Sequence, residues 1–206
     1  ACVYDLKEKK TLYSQALDPG IVKKLMEFGM EEGAMIHVLS ERSIVQKDQQ
    51  SHMADFHMGI YQTMFDQITD KLENIYNSFC EEPFPVLKLN LYHRDEASRA
   101  RTVERIKAAG LETALALAES TSLECSAKGI DKGVGLKKLC EHLGLPLEQT
   151  IAVGDADNDT MALKTAGLAV AMGNATEPIK ALADVIVADC DHNGCAEAID
   201  KYLLAD

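Results

Sequence analysis

Three short apolar runs do most to limit what this chain can fold into. They are Ile151-Ala152-Val153, Leu168-Ala169-Val170-Ala171-Met172 and Val185-Ile186-Val187. None is interrupted by a polar residue. Such runs read as strands buried on both faces, and strands of that kind are usually parallel. Helix-like segments separate them. Leu136, Leu139, Cys140 and Leu143 form one apolar stripe, Gly144 stops it and Pro146 follows. Asn174 and Glu177 have capping-box-like spacing ahead of Ile179 and Leu182, and residues 193–204 read as a last helix. The C-terminal part is therefore a βαβ series on a parallel sheet.

The preceding residues have a different rhythm. Leu87, Leu89 and Leu91 alternate with Lys88 and Asn90, and Leu115 and Leu117 alternate with alanines. Residues 122–126 and Met35-Ile36-His37-Val38-Leu39 are further strand candidates. Alternation predicts strands with one wet face, commonly antiparallel. Helices are expected over 19–32 and over 95–109, the second capped by Asp95 and carrying Val103 and Ile106 on one face. Residues 46–79 read as largely helical. The expected organisation is α/β, with an N-terminal α/β unit over 1–127 built on a mainly antiparallel sheet and a parallel-sheet unit over 128–206.

An apolar content of 47% over 206 residues supports a real core, and 26% charged residues argue against general disorder. The formal net charge of −12 disfavours binding to a nucleic-acid backbone. No apolar run approaches a membrane span. The opening residues Ala1-Cys2-Val3-Tyr4-Asp5 lack the pattern of a signal peptide, and a cytoplasmic location is expected. Cys2, Cys80, Cys125, Cys140, Cys190 and Cys195 form no C-x-x-C pair and read as reduced core residues.

Candidate chemistry begins at Gly154-Asp155-Ala156-Asp157-Asn158-Asp159, directly after the first apolar run. Three carboxylates at alternate positions repel one another unless a positive charge sits among them. A hard divalent cation with oxygen ligands meets that need. A strand that delivers acids to its C-terminal end is also where open α/β sheets place ligands. One polar residue, Asp157 or Asn158, would suffice to cap the following helix, so three acids exceed what capping requires. An EF-hand is excluded, because the places for its Gly and Glu hold Thr160 and Ala166. Lys132, at the start of the helix bearing Leu136, is unfavourable there by itself. A bound anion reverses that sign, since the free N–H groups and the ammonium then act together.

The run Lys132-Gly133, then Gly154-Asp155-Ala156-Asp157-Asn158-Asp159, then Ala171-Met172-Gly173-Asn174-Ala175, resembles the haloacid dehalogenase superfamily and its Cof-type branch of sugar-phosphate phosphatases. The resemblance is carried by residues from Ala127 on. It implies a Rossmann-like core and makes residues 1–127 the α/β cap. It also implies Mg²⁺ as cofactor, with Asp155 and Asp159 as its ligands, Asp159 directly or through water. Lys132 and Asn158 would act on the phosphoryl group, with Asn174 nearby on the substrate side. Lys132 and Asp155 are the catalytic residues it implies, and a small phosphorylated metabolite the substrate.

Phosphatases of this kind attack with the first Asp of a D-x-D-G-T strand. The only D-x-D triplets here are Asp155-Ala156-Asp157 and Asp157-Asn158-Asp159, which belong to the acidic motif. The opening residues instead resemble the first cap strand. The core is therefore expected to be incomplete. Truncation is the favoured reading, with a complementing segment, self-association or an inactive binding module as alternatives. The strand before Asp155 is expected to expose an apolar edge. Arg42, His93 and Arg94 are candidate substrate-recognition residues of the cap. His52 and His57 read as surface or packing residues, and Met53, Phe56, Met58, Tyr61, Met64 and Phe65 as core or as a cap face.

Overall fold

In the computed structural model, which describes residues 2–204, the chain divides into two units. One is Gln15–Gly129. The other combines the residues up to Ser14 with those from Ile130 onward. The opening residues form an antiparallel hairpin, β1 (Cys2–Asp5) with β2 (Lys10–Ser14). This corrects the expectation that residues 1–127 form one unit opening on a cap strand. Within the described residues the hairpin pairs only with itself. Its Tyr13 ring lies under the Lys138 ammonium, 5.8 Å from the ring centroid, on the helix that begins at Lys132. A four-residue strand is placed by what covers its side chains, which the local pattern does not record.

The unit from Gln15 to Gly129 runs α1 (Pro19–Glu31), β3 (Met35–Leu39), β4 (Ser43–Gln46), α2 (Lys47–Gln50), α3 (Gln62–Ile68), β5 (Thr69–Leu72), α4 (Ile75–Glu81), β6 (Lys88–Tyr92), α5 (Glu96–Ala108), β7 (Thr113–Ala118) and β8 (Ser122–Ala127). The helix starts are written in the sequence. Asp18 accepts from the Gly20 and Ile21 N–H groups, and Asp95 from the Ser98 N–H at 2.7 Å. One six-stranded sheet has the order β5-β4-β3-β6-β8-β7, antiparallel except for the parallel β4–β5 pair. This is the mainly antiparallel cap sheet that was expected. The strand β5 falls inside the stretch read as helical.

Both faces of the sheet centre are covered, which the alternation of β6 did not predict. One core joins Val22, Leu25 and Met26 of α1, Ile75 and Phe79 of α4 and Ile106 of α5 to Ile36, Val38, Ile44, Leu89, Leu91 and Leu123. Burial of each large side chain contributes about 1.5–3 kcal/mol. A second core covers the opposite face with Met53, Phe56, Met58 and Phe65, from the irregular stretch before and within α3, over Met35, Val45 and Tyr92. This accounts for the Met-rich segment as core, although Met64 stays exposed.

Polar groups trapped under that second core are joined in a chain. The His37 ring nitrogens meet the Tyr92 hydroxyl at 3.2 Å and the Ser43 hydroxyl at 2.8 Å, and the Asn90 amide N–H donates to the same Tyr92 oxygen at 3.1 Å. Among the described residues the buried Asn90 carbonyl has no partner. Desolvation, aided by the Lys88 charge, pushes the His37 imidazole down to about 4. His93 is fully buried, with its ring nitrogens on the Thr121 carbonyl and the Thr102 hydroxyl, so it supports the fold and is not a surface recognition residue. Arg42 pairs with Asp70 and Arg94 with Asp55. His52 and His57 bond the carbonyls of Asp48 and Arg94 and are exposed, as read from the sequence.

The second unit continues with α6 (Lys132–Leu143), β9 (Ile151–Gly154), α7 (Thr160–Thr165), β10 (Leu168–Ala171), α8 (Glu177–Lys180), β11 (Val185–Ile186) and α9 (Gly194–Ala198). The helix backbone runs on past α9 as one wider turn over Ile199–Leu203. The three strands pair in parallel in the order β11-β10-β9. Together the two units give the α/β fold expected, a Rossmann-like core and an antiparallel cap sheet. Among the described residues β9 has a neighbour on one side only, and Val153 on it is exposed. Gly144, at φ +65°, ends α6 as the sequence indicates. Leu139 and Leu143 of its stripe are nevertheless exposed, because α6 is buried through Gly133 and Cys140. All six cysteines are free; Cys125 and Cys140 are core residues, whereas Cys2, Cys190 and Cys195 are exposed, contrary to the reading of all six as buried.

Candidate functional site

The acidic turn follows directly from β9. Gly154 closes the strand where a Cβ would lie 2.5 Å from the Cβ of Asp159, so only glycine lets the turn fold back this tightly. Residues Asp157–Asp159 then make a single 3₁₀ turn into α7. That turn disperses the three acids. Among the described residues no group of three or more His, Cys, Asp or Glu side chains is arranged to hold a metal. Asp155 and Asp157 are exposed, and Asp159 is 8% exposed.

Asp159 is the hub. Its Oδ1 receives the Lys132 ammonium at 2.5 Å, and its Oδ2 accepts from the N–H groups of Asp155 at 3.0 Å and Ala156 at 3.3 Å. Burial by itself would raise its carboxyl. The Lys132 hydrogen bond and the two backbone N–H groups outweigh burial and hold it below the usual carboxylate range. The expectation that Asp159 ligates a metal meets a carboxylate already engaged at both oxygens. Neither Asp157 nor Asn158 caps α7. Asp159 instead turns back to satisfy the N–H groups at the strand tip.

Lys132 reaches this hub because the next residue is glycine. A Cβ on Gly133 would lie 2.5 Å from the Met161 carbonyl oxygen and 2.7 Å from the Thr165 hydroxyl of α7. The bare backbone lets the start of α6 rest on α7, which begins directly after Asp159. The start of α6 also carries a cap from the chain itself. Asp131 caps it, accepting from the Val134 N–H at 2.9 Å. That cap was missed in the sequence, although an Asp just before the helix is the usual signal.

Asn174 lies in the loop after β10, and its spacing to Glu177 does not make a capping box. Thr176 precedes α8 instead, and among the described residues its side chain makes no capping hydrogen bond. The Asn174 amide N–H donates to Asp155 Oδ2 at 3.2 Å, and its carbonyl accepts from the Cys190 N–H at 3.0 Å. Asn158 is half-buried, and among the described residues no hydrogen bond holds its side chain. Lys132, Asp155, Asp159 and Asn174 are thus linked in one network, whereas Asp157 and Asn158 stand beside it.

The carboxylate of Asp155 accepts a single hydrogen bond among the described residues and otherwise faces solvent. Mg²⁺ keeps several waters and is commonly held by one or two carboxylates together with substrate oxygens. An exposed carboxylate at the tip of a parallel strand fits that requirement.

The sequence profile of the haloacid dehalogenase-like hydrolases matches residues 1–199, and the chain belongs to that family. This bears out the kinship read from the K-G, G-D-x-x-N-D and A-M-G-N-A segments. Phosphatase YwpJ of Bacillus subtilis is 46% identical over 83 residues, which are 40% of this chain and 29% of that protein. A phosphoglycolate phosphatase of Methanosarcina acetivorans is 32% identical over 145 residues, 66% of this chain and 62% of its own. The chain spans less than two thirds of the length of these curated relatives. A haloacid dehalogenase-like hydrolase from B. subtilis superposes with a TM-score of 0.83 at 22% identity, over 98% of this chain and 77% of its own. A subclass IIB sugar phosphatase of the superfamily superposes at 0.77 and 22% identity, over 96% of this chain and 72% of its own. At that identity the superpositions establish a shared fold.

Proposed function

We propose that this chain carries the metal- and phosphate-holding half of a Mg²⁺-dependent phosphatase for a small phosphorylated metabolite such as a sugar phosphate. The observation that carries the reading is the 2.5 Å contact of Lys132 with Asp159, whose other oxygen accepts from the N–H of the exposed Asp155 at the tip of β9. The relatives named as phosphatases support the reaction class, and the subclass IIB sugar phosphatase supports the substrate class.

Asp155 would hold the ion, which when bound neutralises phosphoryl charge. The protein's own part is positioning and charge. Asp159 fixes the Lys132 ammonium and, through the 155–156 N–H groups, the strand tip. Lys132, half-exposed, would then present a positive charge to a phosphate, and Asn158 would donate to a phosphoryl oxygen. The attacking carboxylate would be an Asp of a D-x-D-G-T segment, forming an aspartyl-phosphate that water hydrolyses. Such a segment is not among these residues. The one-sided β9 edge is a place for a complementing strand or for self-association. We place the enzyme in the cytoplasm. Among the described residues no helix is long and apolar enough to cross a membrane.

Phosphate release from p-nitrophenyl phosphate and from sugar phosphates is the test, run with and without Mg²⁺ on the product of the gene's whole reading frame. Turnover that needs Mg²⁺ and is lost in Asp155→Asn is expected. No turnover, or an Asp155→Asn variant as active as the parent, refutes the reading. The absence of D-x-D-G-T favours one second reading, a binding module of the same descent. It predicts binding of Mg²⁺ and phosphate with no hydrolysis under any condition.

A further inference from the structure

The loop after β10 is braced against both neighbouring strand ends. The Met172 N–H donates to the Gly154 carbonyl at 3.0 Å, and the Thr176 N–H to the Asp155 carbonyl at 3.3 Å. On the other side the Gly173 N–H donates to the Ala188 carbonyl at 3.1 Å. Gly173 is pressed closely enough that a Cβ there would lie 2.9 Å from the Asp189 nitrogen. Asn174 is therefore held by backbone on either flank before its side chain makes any contact. Its side chain then spans the same gap, with the carbonyl on the Cys190 N–H and the amide N–H on Asp155 Oδ2.

The geometry points to Asn174 as a positioning residue for the metal-holding carboxylate, not as a phosphate ligand. We infer that this one amide hydrogen bond fixes the rotation of the Asp155 carboxyl group, so that one oxygen is occupied and the other is aimed outward. The inference rests on the proposed function, because it assigns Asp155 to the cation. An exposed carboxylate turns freely about its last bond. A donor seated on a braced loop removes that freedom before the ion arrives. Partners of metal ligands act in this way, and their removal typically weakens metal affinity about 10–100-fold. The Cys190 N–H completes the device by fixing which end of the amide faces Asp155. With its carbonyl held by that N–H, Asn174 can only donate towards the carboxylate.

The roles separate in Asn174→Ala and Asn174→Asp, measured by calorimetric titration of Mg²⁺ alone and, separately, of inorganic phosphate, with thermal unfolding followed alongside. A positioning role predicts that Asn174→Ala weakens Mg²⁺ binding about tenfold or more at an unchanged melting temperature. Asn174→Asp weakens it at least as much, because the donor is replaced by a second acceptor. Tighter Mg²⁺ binding in Asn174→Asp would make residue 174 a metal ligand and overturn the inference. A change in phosphate affinity with Mg²⁺ affinity intact would make it a phosphate ligand and also overturn it. Parent-like Mg²⁺ binding in both variants leaves the proposed function standing and removes the inference alone. A parent protein that binds no Mg²⁺, or binds it equally well as Asp155→Asn, removes both.

Discussion

The buried imidazole of His37 makes the fold lose stability as the pH falls. In the unfolded chain the ring titrates near its ordinary value of 6.5, whereas in the fold burial and the nearby Lys88 push it down to about 4. The unfolded state therefore binds a proton that the folded state refuses. The stability tied to this group is fully present above about pH 6.5, and it is lost as pH falls through 4. A gap of about 2.5 pH units at about 1.4 kcal/mol per unit corresponds to roughly 3 kcal/mol. His37 is only 7% exposed, so solvent screening takes little from that figure. The chain has no tryptophan, which makes far-UV circular dichroism the signal for urea unfolding. The comparison is parent against His37→Gln at pH 7.5 and 4.5. Carboxylates that titrate in the same range cancel in the difference between the two proteins. We expect the advantage of the parent to shrink by about 2–3 kcal/mol at the lower pH, or to reverse. A Lys88→Ala background should leave most of the effect, because desolvation dominates. A difference between parent and His37→Gln that stays constant across this range would refute the burial argument.

Asp159→Asn should destabilise the second unit by about 1.5–3 kcal/mol at neutral pH, since hydrogen bonds to a charged group lose one partner's charge. The carboxyl is held below its ordinary range, so that loss should be present above pH 4 and vanish as the parent's Asp159 is protonated at lower pH; denaturant melts of both proteins across pH 2–7 measure it. Gly133→Ala sets a Cβ against the Met161 carbonyl oxygen and should cost about 1–3 kcal/mol through overpacking. If the gap between α6 and α7 is as tight as it stands, Mg²⁺-dependent turnover should fall too, and an unchanged melting temperature would contradict that. Asp95→Ala removes the cap of α5 and should lower stability by about 1 kcal/mol in the same urea assay, with Asp95→Ser retaining most of it.

Features governed by neighbours along the chain were legible in the sequence. The unbroken runs at 151–153, 168–172 and 185–187 announced parallel strands, although only β10 is buried as such a run implies and Val153 and Ile186 of its neighbours are exposed. Asp95 and Gly144 marked helix ends, because capping and positive φ are local requirements. The order of K-G, G-D-x-x-N-D and A-M-G-N-A identified the family and nominated Lys132, Asp155, Asn158, Asp159 and Asn174. That four of them share one hydrogen-bond network and Asn158 stands beside it was not legible. Lys132 and Asp159 are separated by 27 positions, and only the contact of α6 with α7 decides that the ammonium occupies the oxygen a metal was expected to take. The opening hairpin joined the second unit, β6 was covered on its supposedly wet face, and His93 was sealed inside, all for the same reason. Periodicity records which side chains are apolar, whereas what buries them comes from segments distant along the chain and is fixed only when the chain packs.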